Sequence, residues 1–492
     1  MNPEVPKKPA RTSLYRNWLS LTGLLVAISS FFSFILLFAM DFLSHGGNPY
    51  LGILEYMVAP GVLAFGIFLM GLGAWFHRRN LRKQSPEASV FVIDLSRSRD
   101  RKVLTAFVAA SVTFLLATAL GSYNTYHYTE SVNFCGQTCH TPMKPEYTAY
   151  QNSAHARVAC SECHVGSGAT FYVKSKINGM HQLYCTITEE YSRPIKTPVK
   201  NLRPAQETCE TCHWPNRYIG NLDRTYSHYL ADETNTPFSV RLILKVGGAD
   251  PAHGPAGGIH WHMNAANKVE YIATDEQHQV IPWVRTTSPS GEVTEYKDPK
   301  FKDDISKHVI RRMDCMDCHN RPAHDYRAPN DAVDLAMSLG SIDPKLPWVK
   351  SNVVATLTQK FETEDEALKK ISESLQQRYP KYAKMASLVA ATQEIYKRNF
   401  FPEMKVDWRA YPNNIGHKNW AGCFRCHDGS HKSADGKKKI EASNCNACHT
   451  ILAQGDGAQL AKLNPNGHNF FHLDGEMNDF SCNNCHTGAF PK

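Results

Sequence analysis

The sequence predicts a membrane-anchored chain with three N-terminal transmembrane helices and, after them, a mainly α-helical and irregular domain that contains a small β-containing insert. Three observations predict it. The first 122 of the 492 residues hold three long apolar stretches. The remainder carries all 15 cysteines and most of the 23 histidines. Within it, one long segment has no cysteine and shows apolar residues at the three- and four-residue spacing of helices.

Three apolar stretches, at residues 17–41, 51–76 and 103–122, are each long enough to cross a bilayer as a helix. The first is too long for a signal peptide and is followed by two more, so we expect a retained anchor. Lysine and arginine occur in the N-terminal tail and between the second and third stretches, but not in residues 42–50. Because cytoplasmic loops carry the excess of these residues, the chain from residue 123 onward is predicted to be periplasmic, on a bacterial inner membrane.

Seven cysteine pairs, each followed directly by a histidine, predict covalent attachment of haem. Six read Cys-x-x-Cys-His, and the first has one extra residue between its cysteines. The two thiols bind the haem vinyl groups and the histidine ligates iron. A zinc half-site or a thioredoxin-type pair does not need that histidine. The attachment cysteines are Cys135, Cys139, Cys160, Cys163, Cys209, Cys212, Cys315, Cys318, Cys423, Cys426, Cys445, Cys448, Cys482 and Cys485, and the proximal histidines are His140, His164, His213, His319, His427, His449 and His486.

The fold class is therefore that of a membrane-anchored multihaem cytochrome c with seven c-type haems. The remaining cysteine, Cys185, is expected to be a small buried hydrophobic residue. The formal net charge of +8 does not indicate a nucleic-acid partner, because seven haems would add about fourteen negative propionates.

The motifs divide the chain into a membrane anchor (1–122), a tetrahaem region (123–326) with an insert at 214–312, a helical linker (327–400) and a trihaem region (401–492). Helices are expected at 331–339, 349–360, 364–378 and 384–398. In the insert, strands are expected at 240–246 and 268–274, with a hairpin formed by 280–287 and 292–296.

Residues 131–164, SVNFCGQTCHTPMKPEYTAYQNSAHARVACSECH, resemble the NapC/NirT/NrfH family of membrane-anchored quinol-oxidising cytochromes. In that family a methionine after the first motif ligates the first haem, and a Ser-x-His before the second motif supplies a distal ligand. Met143 and His155 match these positions, and His324 matches a histidine that follows the fourth motif. The resemblance implies that His155 ligates the fourth haem and His324 the second.

Three features depart from the family. The first motif is expanded, the family usually has one span and four haems, and its small members lack the insert at 214–312. Three spans with seven haems resemble the inner-membrane heptahaem cytochromes of bacteria that respire extracellular metals.

The resemblance also implies a quinol site near the first haem, formed in the family by a lysine and an acid downstream of the second motif. Here Lys174 and Lys176 lie in the matching segment, and His181 is expected to stand in for the acid. Both lysines could equally be surface residues near lipid headgroups or propionates, or one could ligate the third haem. The implied partners are membrane quinol, expected to be menaquinol, and periplasmic c-type cytochromes.

Histidines outside the motifs are numerous enough for mostly bis-histidine iron, which carries electrons and has no open position for a substrate. Distal ligands are expected among His262, His417, His431, His468 and His472, and His260 and His228 are further contributors to haems 3 or 5.

Two function classes follow from these patterns. One is a quinol dehydrogenase in anaerobic electron transport. The other is a terminal reductase of nitrite or hydroxylamine, and a haem subunit of a larger respiratory complex is a third alternative. Related reductases often mark an open iron with a lysine in place of the motif histidine. No motif here has that lysine, which favours the dehydrogenase.

Overall fold

The computed structural model describes residues 17–43, 58–81, 95–138, 140–165, 169–199, 202–214, 220–247, 257–263, 267–441, 445–472 and 482–489. Within them the α-helices are α1 (Trp18–Leu43), α2 (Ala59–Leu81), α3 (Ser98–Thr129), α4 (His140–Gln151), α5 (Cys160–His164), α6 (Ala169–Ile187), α7 (Ala205–Thr208), α8 (Cys315–Cys318), α9 (Pro329–Ser338), α10 (Val349–Leu357), α11 (Glu364–Arg378), α12 (Met385–Asn399), α13 (Gly457–Leu460) and α14 (Cys482–Cys485). The strands are β1 (Leu222–Tyr229), β2 (Pro237–Leu244), β3 (Lys268–Ile272), β4 (Trp283–Thr287), β5 (Val293–Lys297), β6 (Arg311–Arg312) and β7 (His449–Gly455).

The chain divides into two compact units. One consists of Met1–Ser131 and Gly166–Ile177, and the other of Val132–Val165 and Asn178–Lys492. The predicted division into an anchor, two haem regions and a linker follows motif positions and stays a prediction.

Helices α1 and α2 are long and apolar enough to cross a membrane, over Trp18–Leu37 and Ala59–Arg79, with mean hydropathies of 2.1 and 1.8. Part of the second predicted span, residues 51–57, and most of the loop before it lie outside the described residues. These two helices agree with two of the three predicted spans.

Small residues let α1 and α2 pack closely. A Cβ atom added at Gly66 would lie 2.8 Å from the carbonyl oxygen of Gly23 and 2.6 Å from the amide nitrogen of Ala27. The hydroxyl of Ser20 donates to the carbonyl of Met70 at 3.0 Å, and that of Ser30 donates to the carbonyl of Ala59. Close backbone approach through small residues is how helices associate in lipid, where apolar burial supplies no driving force.

The third predicted span differs from the other two. It lies inside α3, a 32-residue helix that begins with Arg99, Arg101 and Lys102 in its first turns and ends in polar and aromatic residues. Of the residues that the structure describes, only those of α1 and α2 form helices that pass as spans by length and apolarity. The structure therefore confirms a helix at 103–122 and leaves its crossing of the membrane as an expectation.

The four helices expected between residues 331 and 398 are present as α9 to α12, with ends shifted by up to three residues. The sequence of α11 contains the features that make this segment helical. Thr363 caps its first turn by accepting a hydrogen bond from the amide of Glu366, and three acidic residues there complement the helix dipole. Ala367, Ile371 and Leu375 recur every fourth residue and are fully buried. The buried faces of the four helices meet in the main hydrophobic core.

In the part of the chain that the structure describes, the strands form two small antiparallel sheets. One has the order β5-β4-β3-β6 and contains the expected hairpin, in which Thr287 pairs with Val293 across a turn whose Gly291 has a φ of 82°. The other has the order β1-β2-β7. The sequence predicted neither β1 nor β7. Strand β7 begins at His449 of the sixth motif, so the insert and the trihaem region share this sheet.

Candidate functional site

Each described cysteine motif lies on one tight helical turn. In four motifs the amide of the histidine donates to the carbonyl of the first cysteine four residues earlier, and the N···O distances are 2.7 Å for His213, 2.8 Å for His319, 3.0 Å for His427 and 2.8 Å for His486. Such a turn holds two thiols and an imidazole close together. The cysteines whose side chains are described are free thiols, so none of them is used in a disulfide.

Six motif histidines each face one histidine from outside the motifs, at nearly constant separation. The ring centroids are 6.1 Å apart for His164 and His324, 5.9 Å for His213 and His155, 6.3 Å for His319 and His260, 5.9 Å for His427 and His262, 6.3 Å for His449 and His417, and 6.0 Å for His486 and His472. Two imidazoles that each bind one metal at about 2 Å have centroids roughly 6 Å apart. The spacing therefore suits one iron between each pair.

Hydrogen bonds orient several of these rings. The Nδ1 atom of His155 is 3.1 Å from the carbonyl oxygen of Pro322, and that of His324 is 3.1 Å from the carbonyl oxygen of Glu146. The Nδ1 atom of His262 is 2.9 Å from the carbonyl oxygen of Ile259. A ring that donates from Nδ1 keeps the lone pair on Nε2, which is how metal-binding histidines are usually held.

Burial keeps most of these imidazoles in the neutral form that binds metal. It is the main cause that lowers the pKa values of His164, His260, His319, His324, His417, His427, His449 and His486. In addition, the Nδ1 atoms of His417 and His449 are buried without a hydrogen-bond partner in the part of the chain that the structure describes. Burying such a nitrogen without a partner costs folding free energy, unless a metal ion or a hydrogen-bond donor binds to it. The residues present fit haem.

Successive attachment sites are adjacent. A hydrogen bond with Cys135 lowers the pKa of Cys160 to about 7, and one with Cys315 lowers the pKa of Cys209 to about 6. Burial, with the nearby Cys423 thiol, raises the pKa of Cys318 to about 11. These neighbours connect the first motif with the second, the third with the fourth, and the fourth with the fifth.

The partner of His155 differs from the expected one. The family resemblance implied the fourth haem, but the ring of His155 lies against His213 of the third motif. The position facing the fourth motif is filled instead by His260, from the insert that small family members lack. His324 lies against His164 of the second motif, at the position that the resemblance implied.

Two expected distal ligands have other surroundings. His431 is 1 % exposed, and its two ring nitrogens contact the carboxylate of Asp428 at 2.9 Å and the carbonyl oxygen of Ile281 at 2.7 Å. No ring nitrogen is left for iron. His468 is exposed, and among the described residues its ring faces no motif histidine. Neither residue belongs to the ligand set that we propose below.

The first motif is described only in part. Cys139 and the side chain of His140 lie outside the described residues, and Met143 is half-buried on α4. Ligation at this motif stays a prediction.

Helix α6 carries the residues expected at a quinol site. Lys174 is exposed, and His181 is exposed with Nε2 3.6 Å from the Sγ atom of Cys185. Lys176 forms an ion pair with Glu130, whose side chain is 9 % exposed. Sequence reasoning missed Glu130. The available signal was an acid eight residues after the third apolar segment and five residues before the first cysteine.

Comparison with known proteins agrees with these features. Residues 97–213 match the N-terminal region of the NapC/NirT cytochrome c family. The chain is 40 % identical over 488 residues to the cytochrome c-type protein ImcH of Geobacter sulfurreducens, covering 96 % of this chain and 95 % of that protein. No solved structure matches. With its cysteine–histidine motifs, apolar anchor helices and a relative of this identity over nearly its whole length, the chain belongs to the NapC/NirT cytochrome c family.

Proposed function

We propose that the protein is an inner-membrane quinol dehydrogenase that carries electrons from the quinone pool, expected to be menaquinol, through seven c-type haems to periplasmic c-type cytochromes. The observation that carries this is the set of six histidine pairs. Iron held by two imidazoles has no position for a small oxidant, so these sites suit electron transfer rather than substrate reduction.

The residues that would hold haem are the seven cysteine pairs, the seven motif histidines and, as second ligands at the second, third, sixth and seventh motifs, His324, His155, His417 and His472. Met143 is the candidate at the first motif. When bound, haem supplies one-electron redox chemistry at its iron.

The apolar helices would set the orientation of the chain in the membrane. Helices α1 and α2 form an antiparallel pair whose basic end, at Arg78 and Arg79, is expected on the cytoplasmic side. We place the third span at 103–122 within α3, which brings the chain to the periplasm. Glu130, just after the end of α3, would then lie near the level of the periplasmic headgroups.

Quinol oxidation releases protons as well as electrons, so the site needs a group that accepts a proton. The buried carboxylate of Glu130 is suited to this, since Lys176 holds its position. Lys174 and His181 on the same helix are the other candidates for contact with the quinol headgroup.

The direct test is anaerobic stopped-flow reduction of the purified, detergent-solubilised protein by a menaquinol analogue, followed at the haem absorption bands. We expect all of the haem to be reduced, with loss of reduction when a quinol-site inhibitor is present. If the haem stays oxidised while nitrite or hydroxylamine rapidly reoxidises chemically reduced protein, the protein is a reductase and the proposal is wrong.

A further inference from the structure

One short turn of the insert carries two of the paired histidines. The 3₁₀ turn Ile259–Met263 contains His260 and His262, separated by Trp261. His260 faces His319 of the fourth motif, and His262 faces His427 of the fifth. A single five-residue segment therefore reaches two motifs that are far apart in the sequence.

Backbone hydrogen bonds hold this turn in place. The amide of Ile259 donates to the carbonyl of Lys245 at 2.8 Å, and that of His260 donates to the carbonyl of Val246 at 3.0 Å. On the other side, the side-chain amide of Asn267 donates to the carbonyl of Trp261 at 3.0 Å. The turn is thus fixed between the end of β2 and the start of β3, and its two imidazoles project from a supported backbone.

The fourth and fifth motifs also contact each other directly. Arg425, between the two cysteines of the fifth motif, donates to the carbonyl of Asp317, between those of the fourth, at 2.7 Å. The same guanidinium donates to the carbonyl of His278 in the insert at 2.8 Å. Both motifs and the insert are therefore connected through one side chain.

We propose that the turn Ile259–Met263 would hold two haems at once, with His260 as the second iron ligand at the fourth motif and His262 as the second iron ligand at the fifth. The inference rests on the proposed function only in requiring haem at these motifs. Since Cα atoms two residues apart are separated by at most about 7 Å, the turn fixes the spacing between the tetrahaem and trihaem regions. The insert, which small family members lack, thereby joins the two regions.

The two sites have different ring geometries, which gives each a spectroscopic signature. The ring planes of His260 and His319 are 15° apart, and those of His262 and His427 are 86° apart. Low-spin ferric haem with nearly parallel imidazoles gives a rhombic EPR spectrum, whereas nearly perpendicular imidazoles give a strongly anisotropic signal. The haem of the fourth motif should therefore give a rhombic spectrum, and the haem of the fifth motif a strongly anisotropic signal.

The test is EPR and magnetic circular dichroism of the full-length protein carrying His260→Gly, His262→Gly or both changes. We expect one high-spin haem in each single variant and two in the double variant, while haem content by pyridine haemochrome assay stays that of the wild type. His260→Gly should remove a rhombic signal and His262→Gly a strongly anisotropic one. Added imidazole should restore the low-spin spectra. His468→Gly, a change of an exposed histidine, is the control and should leave the spectra unchanged.

Low-spin spectra that persist in both single variants, or a single variant that converts both haems, would overturn this inference. That result with full haem content and normal quinol reduction would mean that other side chains bind iron at the fourth and fifth motifs, and it would leave electron transfer from quinol intact. Wild-type protein that lacks haem at these motifs, or that quinol cannot reduce, would instead contradict the proposed function.

Discussion

The imidazole rings of His164 and His324 face each other with centroids 6.1 Å apart, and Glu146 holds the outer edge of His324. The Nδ1 atom of His324 is 3.0 Å from the Oε2 atom of Glu146, and Arg321 approaches the same carboxylate at 3.3 Å. A carboxylate behind a ligating histidine strengthens it as an electron donor and fixes its orientation.

Replacing Glu146 by Gln should therefore raise the midpoint potential of one haem, because the neutral amide stabilises the ferric state less than the carboxylate does. Spectroelectrochemical titration, resolved by EPR of the individual signals, measures the shift. Glu373→Gln, which changes an exposed carboxylate paired with Lys370, is the control. An unchanged titration curve for Glu146→Gln would show that this carboxylate does not tune the haem.

Replacing Glu130 by Gln should slow haem reduction by menaquinol about 10²- to 10⁴-fold, the usual range for loss of a positioned proton acceptor. Reduction by dithionite should remain normal, since that reagent brings no proton to be removed. Stopped-flow absorbance measures both rates. Glu276→Gln, the same chemical change at an exposed residue of the insert, should behave as wild type. Equal menaquinol rates for the two variants would exclude Glu130 from the quinol site.

Replacing Gly66 by Leu should destabilise the α1–α2 pair, because its side chain would meet the backbone at Gly23 and Ala27. Overpacking of this kind costs about 1–3 kcal/mol. Gly71→Leu is a matched control in the same helix, since a Cβ atom there meets nothing within 4 Å. Thermal unfolding in detergent should show a lower transition temperature for Gly66→Leu only. If both variants unfold alike, the close contact is not important for stability.

The four-stranded sheet of the insert should loosen in acid. Burial raises the pKa of Glu270, but its hydrogen bonds and ion pairs with Lys268 and Arg285 outweigh this and lower the pKa below its ordinary value of 4.5. A carboxyl group with a depressed pKa contributes stability above its unfolded-state pKa and loses it as the pH falls through the folded-state value.

The protection factors of β3 and β4 amides against hydrogen exchange, which compare each rate with that of an unfolded peptide at the same pH, should therefore fall below about pH 4.5. They should fall less in Glu270→Gln, which has already lost the charge. Glu295→Gln changes a half-exposed carboxylate 3.9 Å from Arg285 and should keep the wild-type pH dependence. Protection factors that do not change with pH in the wild type would contradict this role for Glu270.

The helices between residues 331 and 398 were predictable because their signals are local. Apolar spacing, the Thr363 cap and the acidic first turn of α11 lie within a few residues of one another. The hairpin around Gly291 was equally local. Strand β7 was not predictable, because it is defined by its pairing with β2, more than 200 residues earlier.

The candidate site was likewise predictable only where its signals are local. The spacing of cysteines and histidines located the attachment motifs, but which second histidine faces which motif depends on tertiary structure. His155 was therefore expected at the fourth motif although its ring lies against His213 of the third, and His431 was expected at iron although Asp428 and the carbonyl of Ile281 engage both its nitrogens. Glu130 was missed because its partner, Lys176, is 46 residues away.

The pairing of β2 with β7 also constrains how the chain matures. In this pairing Leu244 lies opposite His449, the first residue of β7. Because a chain is synthesised from its N-terminus, β2 must wait with one edge exposed until the sixth motif has emerged. Exposed strand edges promote association between chains. Assembly of the β1-β2-β7 sheet is therefore a late step that depends on the arrival of His449–Gly455.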